Sequence, residues 1–496
     1  MLNQMKGMKI MTKFDELKRV MSPYVDGRVD SFNARIIAHI QQHLGESTDS
    51  AQLPDEGHVV NYIQKVIGRK PTYETMVAFL MTVLTLCNIN DNLHIYEWSE
   101  GVFVDAEDGY KLRKIIVRVL ELFSAQWSHN FEQETVRLLK RKVAQYKDTD
   151  VNRKVVVFRD QALDLNSLKL IPFDPKYLST RKSSVSPEQG ETPNFDSFLK
   201  TTFNGDKDKI KFVWYWLATQ LQIDKAVNKL VFMYSSGASG KSTLIHVITR
   251  LLGSSNVSHN SLNHFNNEFG KENMLGRFAW ILEESGDNIS DFAGIKNIVE
   301  GNEMSVNRKN KVMIQTIFTL KVTLSFNKLP IPENTIGFSR RVVLLRFPNT
   351  FVGKDADKDL NGKLESEKDQ IAFRAIKYLR ELKSKYNYDL SQVITGSLQK
   401  ETDEYFDKAR GPVYMFLRQK CQRKSGSRAP KTEILNAFLD FLDETDEDSK
   451  GFNKPKSFWP EFKKQFRNLY GRDCSFSKSS IEYVNDLILS KGVREF

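Results

Sequence analysis

The segment LVFMYSSGASGKSTLIHVI, residues 230–248, runs as an apolar strand into a glycine-containing turn that opens a helix. Such a turn holds phosphate: successive backbone N–H groups and the helix N-terminus surround the oxygens, and a lysine neutralises the β and γ positions. The candidate residues are Ser236, Gly237, Ala238, Ser239, Gly240, Lys241, Ser242 and Thr243, with Ser242 also placed to ligate Mg2+ beside bound ATP. Ser235 stands where the common pattern GxxxxGK[ST] has its first glycine, and Gly237 supplies the backbone freedom instead.

Some forty residues on, RFAWILEESGDN is an apolar strand closed by Glu283 and Glu284. Hydrolysis of a phosphoanhydride needs charge neutralisation and an aligned water, so Glu283 is assigned to the magnesium shell and Glu284 to the water. A lone acidic pair at a strand end is commonly a solvated turn; the upstream loop gives this one its role. The strand FTLKVTLSFNKLP ends at Asn327, where an amide can hold the γ-phosphate or the water. In GFSRRVVLLRFP, Arg340 and Arg341 start another strand and are read either as a finger reaching a neighbouring subunit's phosphate or as surface arginines. Between acids and amide, two β-like stretches flank Asn307-Arg308-Lys309-Asn310-Lys311, a hairpin with a basic tip. Arg308, Lys309 and Lys311 are its candidate DNA contacts, gripping backbone phosphates without reading sequence. A plain solvated turn is the other reading.

These residues need a frame. From about residue 205, helices and strands alternate, which argues a largely parallel α/β sheet. Residues 14–146 read as mainly helical, with a hairpin in LHIYEWSEGVFVDAEDG and a buried helix over Met76–Cys87. The expected organisation is a helical N-terminal domain over 1–150, a linker or pre-ATPase segment over 151–204, an ATPase domain over 205–352 and a mainly helical C-terminal domain over 353–496. The stretch STRKSSVSPEQGETPNF reads as an exposed connector, and strands fade beyond Gly353.

The 496 residues are 40% hydrophobic and 27% charged, ordinary for soluble globular chains. No stretch has the length of a spanning helix or a secretory leader, so a cytoplasmic protein, without a membrane partner, is expected. Cys87, Cys421 and Cys474 lie far apart, which argues against a disulfide scaffold or zinc. The 73 Lys and Arg against 62 Asp and Glu give +11, a balance that favours polyanionic partners.

Taken in order, Lys241 with Ser242, the acidic pair, EGNEMSVNRKNK, LSFNKLPIP and GFSRRVVLLRF resemble the superfamily 3 helicases, in particular the phage, plasmid and poxvirus-type primase-helicase family. The resemblance is firm over 229–348 and looser over 90–480. It implies an AAA+-like phosphate-loop core, a winged-helix-like tail, and a homo-hexameric ring that hydrolyses ATP between subunits and moves 3′ to 5′ on single-stranded or forked DNA. Family members usually carry glycine at the place of Ser235 and asparagine at that of Ser239. No primase signature is visible upstream, so a stand-alone helicase is expected, with a separate primase or origin-binding protein as candidate partner. Two alternatives stand beside it: an initiator or scaffold in which ATP only switches assembly on DNA, and a nucleic-acid binder with an inactive loop.

Overall fold

The computed structural model describes residues 13–25, 56–68, 70–107, 110–122, 125–284, 292–330, 336–353, 356–445 and 451–490. Residues 26–55, within the stretch read as mainly helical, lie outside the described residues.

In the N-terminal region the helices Glu56–Ile67, Tyr73–Val83, Lys111–Leu122 and His129–Lys142 pack with a sheet of Leu86–Ile89 (β1), Asn92–Glu97 (β2), Val102–Asp105 (β3) and Ala144–Tyr146 (β4), ordered β3-β2-β1-β4. The hairpin read from sequence is β2–β3, antiparallel through His94↔Asp105 to Glu97↔Val102. The helix read over Met76–Cys87 is shorter than expected. Thr72 opens it with a capping box, but Leu84 turns extended and residues 86–89 become β1. Apolar periodicity cannot separate a buried helix from a buried strand over so short a run, and pairing with β2 and β4 decides it.

Val155–Val157 (β5), Ala162–Asp164 (β6) and Leu170–Ile171 (β7) form a small antiparallel sheet. The stretch expected to be an exposed connector is instead packed: Ser183, Val185 and Ser186 are buried, and Ser183 Oγ donates to Leu251 O at 2.6 Å. Its Ser- and Pro-rich composition reflects side chains that satisfy neighbouring backbone, not solvent. It leads into the Pro193–Thr202 helix, whose first N–H groups are capped from afar: Asn194 N and Phe195 N donate to the Glu367 carboxylate at 2.8 and 2.9 Å.

The central sheet comprises Leu230–Tyr234 (β8), Val257–Ser258 (β9), Ala279–Glu284 (β10), Lys321–Phe326 (β13) and Val342–Arg346 (β14), all parallel and ordered β14-β8-β13-β10-β9. The mixed α/β reading with a parallel sheet therefore holds. Both faces are buried. Val231 and Met233 join one core with the helices Lys207–Gln220, Lys241–Leu252 and Lys368–Tyr386, whereas Leu230 and Phe232 join a second with Ala293–Glu300. This is why the strands read as unbroken apolar runs. Between β10 and β13 the chain makes an antiparallel hairpin, Glu303–Arg308 (β11) and Lys311–Ile317 (β12).

Beyond the sheet, strands do not fade altogether. Pro412–Lys420, Cys421–Pro430 (β15), Lys431–Thr445, Pro455–Tyr470, Phe476–Lys478 (β16) and Glu482–Leu489 (β17) run helix, strand, helix, helix, strand, strand around their own core. β17 lies between β15 and β16, antiparallel to both. β15 reads CQRKSGSRAP, without alternation, so only its partner reveals it. Among the described residues no helix is long and apolar enough to cross a membrane.

Candidate nucleotide site

The loop between β8 and the Lys241–Leu252 helix takes its unusual conformations at Gly237 (φ 131°), Ala238 (φ 46°) and Gly240 (φ 91°). Ser235 is not among the positive-φ residues, so a side chain there costs no backbone strain. Gly240 is required twice over: besides its φ, an added Cβ would approach Phe198 to 2.9 Å. Phe351 N donates to Ala238 O at 2.7 Å and ties the segment after β14 onto the loop.

Ser235 organises the loop from within. Its hydroxyl accepts from Gly237 N at 3.2 Å and from Ser239 Oγ at 2.6 Å, and it also accepts from the Lys241 ammonium. Lys241 Nζ further donates to Ser235 O at 3.3 Å and to Asn327 Oδ1 at 3.0 Å. Burial holds the Lys241 ammonium below its ordinary pKa, partly countered by the Glu283 carboxylate.

A cavity of about 830 Å3 opens over the loop. Gly237 to Thr243 line it, with Glu283 from the end of β10, Ser325 from β13 and Asn327 just beyond. Glu283 and Ser325 are register partners, which sets the acid beside the strand that carries Asn327. Lys241, Glu283 and Asn327, separated by 42 and 44 positions in turn, thus meet because β13 inserts between β8 and β10. Ser236 is exposed and is not part of the lining. Glu284 ends β10, but its side chain lies outside the described residues, as does that of Lys311.

The opposite wall was not legible in any motif. Asn194, Ser197, Phe198 and Thr201 come from the helix capped by Glu367, and Asp357 and Lys363, paired at 2.7 Å, come from beyond the sheet. Their one sequence signal is the Thr-Pro start of a helix at 192–193.

The two arginines separate. Arg341 is buried and pairs with Glu300 at the end of the Ala293–Glu300 helix, while also donating to Gly337 O. Arg340 is exposed, and its carbonyl accepts from Lys229 Nζ at 2.6 Å. The Arg341 guanidinium is thus engaged within its own chain, and of the two arginines Arg340 is the exposed one. At the hairpin tip Arg308 pairs with Lys311, Lys309 is exposed and Asn310 takes φ 59°. Neither the hairpin nor either arginine lines the cavity.

Among the described residues no three His, Cys, Asp or Glu side chains could hold a metal by themselves. A hydroxyl and a carboxylate, Ser242 and Glu283, form a hard-oxygen donor set that suits Mg2+ sharing phosphate oxygens.

Comparison with known proteins finds two matching family models. Residues 95–204 match one described as D5 N terminal like, and residues 233–341 match a family of unknown function, DUF5906. Among solved structures, the A form apo structure of the NrS-1 C terminal region aligns at 10% identity over 83% of this chain and 98% of that chain, with a TM-score of 0.46. A second, apo structure of that region (305–718) aligns at 11% identity over 83% and 98%, again with a TM-score of 0.46. Residues 95–204 are thus D5-N-terminal-like, upstream of a segment whose family carries no assigned activity.

Proposed function

We propose that this chain is an ATP-driven replication motor that works as a ring on single-stranded DNA. The observation that carries the reading is the convergence of Lys241, Glu283 and Asn327 on one cavity at the carboxyl ends of three adjacent parallel strands. The D5-N-terminal-like match supports the resemblance to D5-like primase-helicase replication proteins, because it falls inside the span that resemblance covers.

In this reading the N–H groups of Gly237 to Lys241 hold the phosphates and Lys241 leaves Ser235 to meet their charge. Ser242 and Glu283 hold Mg2+, which when bound neutralises the phosphate oxygens in flight. Glu284 polarises water and Asn327 orients the γ-phosphate. Arg340, exposed and free to face a neighbour, acts as the finger, so the site is complete only in an assembly. The exposed Val312 and Met313 on the hairpin fit that assembly, since neighbouring subunits would cover them. Arg308, Lys309 and Lys311 grip backbone phosphates, and the α-β-α-α-β-β tail is read as a winged helix.

Full-length protein assayed for ATP turnover with and without single-stranded DNA, and for strand displacement from a forked duplex, tests this. DNA-stimulated turnover with displacement is expected. Turnover without displacement would make ATP an assembly switch, and failure to bind nucleotide would overturn the site itself.

A further inference from the structure

A second cavity, of about 530 Å3, lies where the N-terminal sheets meet the central module, well apart from the phosphate loop in its lining residues. Its walls bring together Arg153 from the start of the small sheet, Arg181 from the packed segment that follows, Arg277 from the turn before β10 and Arg308 from the hairpin. Sequence separation hides the group: these arginines meet only through the fold.

What they bond to is informative. Arg153 donates to Asp224 O at 3.2 Å and Ile317 O at 3.5 Å, Arg181 to Ser255 O at 3.4 Å and Leu275 O at 3.2 Å, and Arg277 to Asn273 O at 3.3 Å. Arg308 donates to Val312 O at 3.0 Å. Every acceptor is a main-chain carbonyl, and among the described residues no salt bridge joins any of these guanidiniums to a carboxylate. Carbonyls orient an arginine without neutralising it, and each guanidinium retains further N–H donors.

The electrostatics agree. Burial and the neighbouring Arg277 charge push Arg181 down to about 10, with Asp148 opposing, and burial alone lowers Arg277. Arg153 is lowered by burial against the charge of Asp224. Three carboxylates border the cavity: Asp148 accepts from Asn90, Glu272 from Lys309 N at 3.1 Å and Asp105 from Glu107 N at 2.8 Å. They keep their charge, but among the described residues none forms an ion pair with these arginines, so four guanidiniums with N–H donors to spare face the cleft.

We infer that this cleft is a binding site for phosphoryl oxyanions, carried by the backbone of a single-stranded nucleic acid or by a free nucleotide. Planar guanidinium forks suit two-oxygen contacts to phosphate, and the site reads no base. The hairpin supplies both Arg308 in the wall and exposed Lys309 at the tip, so a strand gripped at the tip continues into the cleft. The inference stands on residues that the nucleotide site does not use, and it survives if that site proves inactive.

The test uses the full chain in the Lys241→Ala background, which removes the phosphate-loop lysine. Anisotropy of a labelled oligo(dT) is titrated against salt, with and without Arg181→Gln/Arg277→Gln. The double variant is expected to bind at least about tenfold more weakly at low salt, with the slope of log K against log salt smaller by roughly 0.7 for each lost contact. Equal affinity and slope would overturn a strand as occupant. In the second arm inorganic pyrophosphate should raise the Tm of Lys241→Ala protein, and raise it less in the double variant. A pyrophosphate effect with unchanged oligonucleotide binding assigns the cleft to free nucleotide, and no difference in either arm refutes the site. Gln keeps a donor for the carbonyls of Ser255, Leu275 and Asn273. Should the double variant fail to fold, single Arg277→Gln, which gives up only the hydrogen bond to Asn273 O, is read in both arms.

Discussion

The nucleotide cavity and the arginine cleft are both lined by cations, yet they are built in opposite ways. In the first, one lysine is held chiefly by its own loop: Ser235 Oγ and Ser235 O accept from it, and Asn327 Oδ1 joins them from the end of β13. In the second, arginines from four distant segments lean on carbonyls with no carboxylate partner among the described residues. A contiguous motif can encode a site whose chemistry lies in backbone N–H groups. A site assembled from side chains of separate elements is encoded only by the fold.

The largest test of that contrast is Lys241→Ala. A single focused cation should be irreplaceable, so ATP turnover is expected to fall on the order of 10²–10³-fold. In the cleft, by comparison, charge is shared, and single arginine losses should weaken binding in steps. Loss of turnover by less than tenfold in the lysine variant would break the comparison.

The next test separates Arg340 from Arg341. Removing the buried Arg341 guanidinium forfeits a charge-assisted hydrogen bond, a loss of about 1.5–3 kcal/mol, although Glu300 stays partly exposed and keeps its bond from Asn302. Arg341→Ala should therefore unfold at lower denaturant, whereas Arg340→Ala should keep its stability and lose turnover. Chemical denaturation of both variants alongside ATPase assays decides it, and equal stability of the two would sink the structural role of Arg341.

How much of this was legible follows from the same contrast. The loop, the acidic strand end, Asn327 and the basic hairpin could be read because turn glycines, strand runs and their order are local. The site's far wall could not, since Asn194 and Phe198 sit on a helix whose cap, Glu367, is far away in sequence. The packed 179–195 segment misread for a related reason: serine and proline mark loops, but Ser183 and Ser186 spend their hydroxyls and amides on Leu251, Asp160 and Asp369. Equally, nothing in GFSRR distinguishes a free arginine from a paired one, because Glu300 arrives by topology.

A smaller effect is expected between the two sites. Lys321 begins β13, whose other end leads to Asn327, and its buried ammonium donates to Lys225 O and Thr319 O at 2.9 Å each and to Gln222 O. Burial pulls it from 10.5 down to about 7, with Asp224 opposing and Arg153 of the cleft reinforcing. Between those values the unfolded chain binds a proton that the folded chain has released, so stability rises with pH from about 7 upward. Below 7 both states are protonated and the penalty is complete. The slope has a ceiling of about 1.4 kcal/mol per pH unit. Between about pH 7.5 and 8.5 wild type should gain more stability than Lys321→Met gains, by up to that amount in chemical denaturation, and identical gains would place the ammonium's pKa outside this window.

The smallest effect sharpens the comparison from the loop's side. If Lys241 is held by Ser235 before nucleotide arrives, binding must exchange that hydroxyl for phosphate. Ser235→Ala removes an acceptor from the free state alone, and the backbone tolerates it because Ser235 is not among the positive-φ residues. A hydrogen bond to a charged group contributes about 1.5–3 kcal/mol, and Ser235 O and Asn327 Oδ1 remain to take up part of it. The net expectation is nucleotide affinity about three- to tenfold tighter, read by titration with a fluorescent ATP analogue. The loss of Ser239's partner tends to loosen the loop and works against this gain. Weaker binding in Ser235→Ala would mean that the hydroxyl shapes the loop for phosphate, and that the lysine is not restrained by its own site.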